Sequence, residues 1–181
     1  MRVITGSARG MTLKAPEGLS TRPTAEKVKE AVFSALQFEI EGRRVLDLFA
    51  GSGQMGIEAL SRGAVSAVFV DADKTAVRII KENLQKTRFA PQATVMQTDA
   101  LSFLRMCGQT FDLAFLDPPY AAGLLQKALA AAEPLIAEGG AVVCEHSADE
   151  TLPDTVGLLR ADRRYHYGKT AVTVFRKGGV V

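Results

Sequence analysis

The apolar and polar positions of the chain alternate between short apolar runs and amphipathic stretches. "RVITG" and "GMTLKAP" predict a short N-terminal β-hairpin. In "TAEKVKEAVFSAL", Ala25, Val28, Val32, Ala35 and Leu36 recur at helical spacing, with Thr24 available as a cap. "RRVLDLFA" reads as a buried strand ending at a glycine cluster, and "MGIEALSRG" as a short helix stopped by Gly63. Strand, helix and strand follow in "SAVFVDAD", "KTAVRIIKENLQK" (Val77, Ile80 and Leu84 on one side, Asp73 as cap) and "ATVMQTD". Then come a short helix "ALSFLRMC", a strand "FDLAFLD", a helix "GLLQKALAAAEPLIAEG" with Pro134 near its end, and a strand "GAVVCEH". "TVGLLRADRRYHYG" and "KTAVTVFRKG" predict two strands turning at Gly168, an antiparallel hairpin at the sheet edge.

Regular alternation of near-continuous apolar strands with helices implies an α/β protein whose mostly parallel sheet is covered on both faces. Ligands in such sheets bind beyond the carboxyl ends of the strands, where the strand order reverses. The chemistry is therefore expected just after the first four strands. "FLDPPY", residues 115–120, stands out there: Pro118 and Pro119 lack a backbone N–H and cannot extend a ladder, so the strand must stop at Asp117. On its own the segment fits a rigid turn equally well.

Composition narrows the classes. The 181 residues suit a single domain, residues 1–181, and 47% hydrophobic with 23% charged positions is an ordinary globular composition. No apolar run approaches the roughly 20 residues of a membrane span, and the start lacks the apolar core of a secretory signal. Two cysteines, Cys107 and Cys144, predict buried thiols in a cytoplasmic protein, and two histidines offer no metal-ligand spacing. The net charge of +2 is unevenly spread. Residues 1–29 hold Arg2, Arg9, Lys14, Arg22, Lys27 and Lys29 against Glu17 and Glu26; residues 160–177 hold six basic residues against Asp162 alone. Basic ends flanking an acidic middle suggest a polyanionic partner, although by itself the split also fits solvated faces.

After the first strand, "DLFAGSGQMG" places Gly51, Gly53 and Gly56 in a G-x-G-x-x-G pattern, with Asp71 at the end of the next strand. That pattern also describes a nicotinamide-dinucleotide site, so an oxidoreductase is one reading. Two acids favour another ligand. Asp47, inside the end of the first strand, suits a cationic group rather than a pyrophosphate, and Asp99 after the third strand can accept from an adenine amino group. Asp99 is equally placed to cap the following helix. An adenosine with a positively charged tail fits all three acids, and S-adenosylmethionine is such a molecule. Asp117 and the Pro118 carbonyl then become two acceptors for the hydrogens of a nucleobase amine, held stiff by Pro119, with Tyr120 able to stack on the base. No metal or covalent nucleophile is needed.

"DLFAGSG", the acid after the second strand, "DA" after the third and "DPPY" resemble the S-adenosylmethionine-dependent amino-methyltransferases. "RVITGSARGMTLKAP", "TRPTAEKVKEAVFSAL" and "DLFAGSGQMGIEALSRGA", in this order, resemble the bacterial RsmD-type 16S rRNA guanine-N2 methyltransferases over nearly the whole chain. The resemblance implies a Rossmann-like methyltransferase fold, a mostly parallel seven-stranded sheet with an antiparallel C-terminal hairpin, preceded by an N-terminal β-hairpin extension (residues 1–20) and a helix. It implies Asp117, Pro118, Pro119 and Tyr120 as catalytic. It implies Asp47, Phe49, Ala50, Gly51, Ser52, Gly53, Gly56, Asp71, Ala72, Asp99 and Ala100 around S-adenosylmethionine. Arg2, Arg9, Lys14 and Arg22 would meet RNA phosphates, although Arg22 is as well placed to pair with a helix carboxylate. The implied partner is 16S rRNA or a partly assembled small subunit, and the implied state a cytoplasmic monomer. Gln54-Met55 departs from the smaller residues of relatives, and Lys27 and Lys29 stand where relatives often carry arginine. A DNA adenine-N6 methyltransferase shares the chemistry, but the chain shows no room for a separate target-recognition domain. A non-catalytic, cofactor-binding ribosome-assembly module is the other alternative.

Overall fold

The computed structural model describes residues 1–16, 23–119 and 123–178. In chain order it contains α1 (Pro23–Ala35), β1 (Arg44–Leu48), α2 (Gln54–Ser61), β2 (Ser66–Asp71), α3 (Lys74–Thr87), β3 (Ala93–Gln97), α4 (Ala100–Met106) and β4 (Phe111–Leu116). Then come α5 (Leu124–Ala132), β5 (Ile136–Ser147), β6 (Thr155–Val156), β7 (Leu159–Tyr167) and β8 (Thr170–Lys177). The strands form one sheet in the order β3-β2-β1-β4-β5-β8-β7-β6, parallel from β3 to β5 and antiparallel beyond.

Alternation along the strands divides the core between the two faces. Val45, Phe69, Phe115, Val143 and Val172 face α1, α2 and α3, where Phe33, Leu36, Ile57, Ile80 and Leu84 cover them. Leu46, Leu48, Val70, Leu116, Val142 and Phe175 face α4 and α5, beneath Phe103, Leu104, Leu125 and Leu129. The sheet order reverses between β1 and β4, so the carboxyl ends of these two strands flank the expected crevice.

Several expectations need correction. The sheet has eight strands, not seven: Gly157 takes a left-handed conformation (φ 56°) and folds "TVGLL" into a tight turn. The predicted single strand is thereby split into β6 and β7. The helix predicted through Glu138 ends at Ala132, because Pro134 cannot donate to the preceding turn. One 3-10 turn follows, and "IAEG" begins β5 instead. α1 starts at Pro23, which places Thr24 within the first turn rather than at the cap. The N-terminal hairpin is reduced to one antiparallel bridge between Arg2 and Thr12. Around it the Val3 amide donates to the Met11 carbonyl and the Leu13 amide to that of Met1, both at 2.9 Å. Cys144 is buried, whereas Cys107 is only half-buried. Among the described residues no helix is long and apolar enough to cross a membrane.

This N-terminal arm is fastened by buried polar groups. Glu58 on α2 is wholly buried, and its carboxylate accepts the Ile4 amide at 2.7 Å, the Thr5 amide at 3.0 Å and the Arg62 guanidinium at 2.9 Å. Lys29 on α1 is also buried, 3.6 Å from the same carboxylate, and donates to the Arg2 carbonyl at 2.6 Å. Burial lowers the pKa of its ammonium, and Glu58 opposes that shift. Lys29 therefore belongs to the core and not to the basic surface that its position suggests. On α3, Asn83 accepts the Lys14 amide and donates to both the Lys14 and Ser52 carbonyls. Replacing Glu58 with Ala leaves a buried ammonium and two amides without their acceptor, so we expect a loss of roughly 3–5 kcal/mol. Urea denaturation measures it, and a loss under about 1 kcal/mol would mean that this carboxylate does not hold the arm.

Candidate active site

The loop after β1 bends sharply because three of its residues adopt positive φ: Phe49 at 63°, Gly51 at 58° and Gly53 at 76°. Asp47, on β1 below it and 3% exposed, accepts the Gly56 amide at 2.8 Å. Gly56 must be glycine, since a Cβ there would lie 2.3 Å from the Phe69 ring. Burial pushes the Asp47 carboxyl up to about 7, against the pull of the Gly56 amide, with Asp71 adding a smaller upward push. From the side, Asp71 accepts the Gly51 amide at 2.8 Å and the Asp73 amide at 2.9 Å. Ala50 is buried and its amide donates to the Val70 carbonyl at 3.0 Å. Ser52 is buried under the arm, its hydroxyl beside the Met1 sulfur. A Cβ at Gly51 would meet nothing within 4 Å, so the outer side of the loop is open to a ligand.

The next two strand ends complete this side. Ala72 is exposed directly after β2. Asp99 caps α4, its carboxylate accepting the Ser102 amide at 2.9 Å, and Ala100 is buried in the first turn. That cap bond holds the Asp99 carboxyl below the usual range. Each carboxylate offers about four acceptor sites, so these internal bonds leave Asp71 and Asp99 with acceptor capacity for a ligand.

Across the reversal point, β4 stops at Leu116 and Asp117 follows at its end, with Pro118 buried and Pro119 exposed. Tyr120 lies outside the described residues. A cavity of about 80 Å³ opens between α1 and this end of the sheet, lined by Lys29, Gln54, Met55, Phe115, Asp117 and Glu145 among others. The Asp117 carboxyl is raised well above the usual carboxylate range, first by burial and then by the charges of Glu145 and Asp47. Asp117 also keeps exposed surface. Solvent there tempers the shift, but its direction stands because two carboxylates face it.

Glu145, within β5 and two residues before its end, was missed by the sequence reading. Its signal was an acid directly after the buried run "AVVC". The structure thus gathers the loop 49–53, Gly56, Asp47 and Asp71 into one hydrogen-bonded unit, with Asp117 close enough to Asp47 to feel its charge. Asp99 and Ala100 stand two strands away from β1, at the end of β3.

The basic residues are less uniform. Arg2 and Arg9 are exposed on the arm, but Lys14 pairs with Glu82. Arg22 lies outside the described residues. In the C-terminal basic stretch, Arg164 pairs with Asp154, Arg176 with Glu39 and Asp162, and Lys177 with Glu133. Local acids answer these three charges. Tyr165 and Tyr167 share one face, with rings 6.5 Å apart and stacked at 26°. Tyr165 sits opposite Val172, itself opposite Glu145, so the pair continues the row of residues that begins at the site.

Known proteins match this chain over almost its full length. The family described as Conserved hypothetical protein 95 matches residues 1–176. YlbH of Bacillus subtilis (strain 168), a candidate rRNA methyltransferase, is 43% identical over 184 residues, covering 99% of this chain and 100% of that protein. Ribosomal RNA small subunit methyltransferase D of Escherichia coli (strain K12) is 31% identical over 179 residues, covering 98% and 90% respectively. The solved structure of yhhF from Escherichia coli, a candidate methyltransferase, superposes with a TM-score of 0.89 at 33% identity, covering 98% of each chain. The chain belongs to the Conserved hypothetical protein 95 family, that of the RsmD-type methyltransferases.

Proposed function

We propose that this protein transfers a methyl group from S-adenosylmethionine to the exocyclic N2 amine of a guanine in 16S rRNA of the small ribosomal subunit. Residues 1–181 act as a single domain and as a monomer in the cytoplasm, with residues 1–20 as an RNA-positioning extension. The observation that carries this reading is the position of Asp117 and the two prolines beside the glycine loop, at the reversal point of the sheet. The names of the relatives support rRNA as the substrate class.

The residues fit the cofactor. The open side of the loop around Gly51 would admit a ligand, Asp71 would meet the ribose hydroxyls, and the carboxylate of Asp47 suits a cationic centre. Phe49, Ala72, Asp99 and Ala100 would flank the adenosine. When bound, S-adenosylmethionine supplies a methyl group already activated on sulfur. The protein's part is alignment, which can supply ~7–11 kcal/mol of a barrier. A guanine amine is a weak nucleophile because its lone pair is delocalised into the ring. Asp117 and the Pro118 carbonyl would hold its two hydrogens and turn the lone pair toward the methyl, with Pro119 keeping the carbonyl fixed and Tyr120 stacking on the base. The raised pKa of Asp117 also suits it to take the amine's proton as the N–C bond forms. A paired base cannot reach this cleft, so the target is unpaired or turned out of its stack. Arg2 and Arg9 on the arm, with Arg22, would steer the strand by its phosphates, and Lys14 contributes only if RNA displaces Glu82.

Labelled S-adenosylmethionine, offered with small subunits, naked 16S rRNA and DNA, should yield N2-methylguanosine from the ribosomal substrates. Methyladenine in DNA as the main product would falsify the assignment. Asp117→Ala should slow transfer by about 10²–10³-fold while cofactor affinity changes less than about 3-fold. Asp71→Ala should instead weaken cofactor binding by about 10–100-fold in calorimetry. In a melting assay, S-adenosylmethionine should raise the Tm and NAD should not; the reverse result points to an oxidoreductase.

A further inference from the structure

Asp117 just after β4 and Glu145 within β5 form a pair that the reaction as described uses only in part. β4 and β5 run parallel with Leu116 opposite Cys144. Asp117 and Glu145 are each the next residue along, so they face one another on the same side of the sheet, about 4.8 Å apart in strand spacing. The row below them, Phe115 and Val143, is apolar, as are Val28 and Val32 of α1 and Val172 of β8 around the same cavity. Among the described residues neither carboxylate receives a hydrogen bond within 3.5 Å or lies within 4.0 Å of a cationic group. Among the described residues, the charged groups facing the pair are Asp47 from β1, which adds repulsion, and Lys29 from α1, whose ammonium is committed to Glu58 and the Arg2 carbonyl. Gln54 of α2 is uncharged. Packing among the described residues gives no reason for an acid without a partner among them at Glu145, where an apolar residue would cost less.

Two adjacent carboxylates present acceptors only, which is the complement of one base edge. Guanine offers N1–H and the N2 amine, donors side by side. Adenine and 2-aminopurine both carry a lone pair at N1 instead. We propose that Glu145 is a specificity-determining residue whose carboxylate accepts the N1–H of the target guanine while Asp117 accepts from its N2 amine. This inference rests on the guanine-N2 reading and adds to it the group that selects the base. Donors from guanine relieve the repulsion between the two acids, whereas a purine lacking N1–H sets a lone pair against Glu145.

The test compares the wild type with Glu145→Gln and Glu145→Asp. Each acts on small subunits reconstituted with guanine or with 2-aminopurine at the methylated position, after cofactor affinity has been shown to match. The wild type should prefer guanine by at least about 30-fold in kcat/KM. Glu145→Gln should lose about 10–100-fold on guanine and bring the two substrates within about 3-fold, because its amide can donate to N1 of 2-aminopurine. Glu145→Asp should keep a preference for guanine. A second readout is the pH profile. Burial raises the Glu145 carboxyl as well as that of Asp117, so guanine methylation should rise with pH as the pair ionises. Removing the charge of Glu145 lowers the Asp117 pKa and should move that rise to lower pH. An equal loss on both substrates in Glu145→Gln, or a wild type that takes 2-aminopurine as well as guanine, overturns this role while leaving the methyltransferase intact. Should the wild type make no N2-methylguanosine at all, the fault lies with the proposed function instead. If Glu145→Gln does not fold, the wild-type preference and Glu145→Asp decide.

Discussion

The site is organised around the hydrogen bond from the Gly56 amide to the buried carboxylate of Asp47. It ties the first turn of α2 to the end of β1, and the loop between them has no slack: Phe49, Gly51 and Gly53 already sit at positive φ, and Phe69 fills the space beside Gly56. With that tie fixed, Asp71 can reach the Gly51 amide, and Asp47 remains near enough to Asp117 to influence its ionisation. Desolvation opposes a charge on Asp47, yet the amide bond favours one, which leaves its pKa close to neutrality. A group so poised adjusts its charge to whatever cation or proton arrives nearby.

The N-terminal arm is integral to this arrangement. Glu58 takes amides from Ile4 and Thr5, Asn83 clasps both sides of Lys14 while holding the Ser52 carbonyl, and Val3, Ala8 and Leu13 enter the core. The same asparagine thus serves the arm and the glycine loop. A disturbance of either is felt at the other, even though the arm contributes only one β-bridge.

Much of this was legible in the sequence because it is written in local chemistry. Glycines before a helix, acids after strands and prolines that halt β4 announce themselves within a few residues. The first four strands lie within the runs that the alternating pattern gave, each ending one or two residues earlier than those runs do. What escaped depends on neighbours that are distant along the chain. Glu145 matters because the register of β4 on β5 sets it against Asp117. Lys29 reads as a surface charge until Glu58 is folded against it. Pro134 and Gly157 were visible, but the helix period and the long apolar-basic run around them outweighed the break each one makes.

The sealed position of Lys29 has a consequence for how a nucleic acid is met. Its ammonium is spent on the arm's own backbone, so lifting the arm away would strand a charge in an apolar interior. On the proposed function, the arm would present Arg2 and Arg9 as a ready-made template rather than as a tether ordered on contact. Encounter with a polyanion would then need no disorder-to-order step in residues 1–16, and its rate would depend on ionic strength.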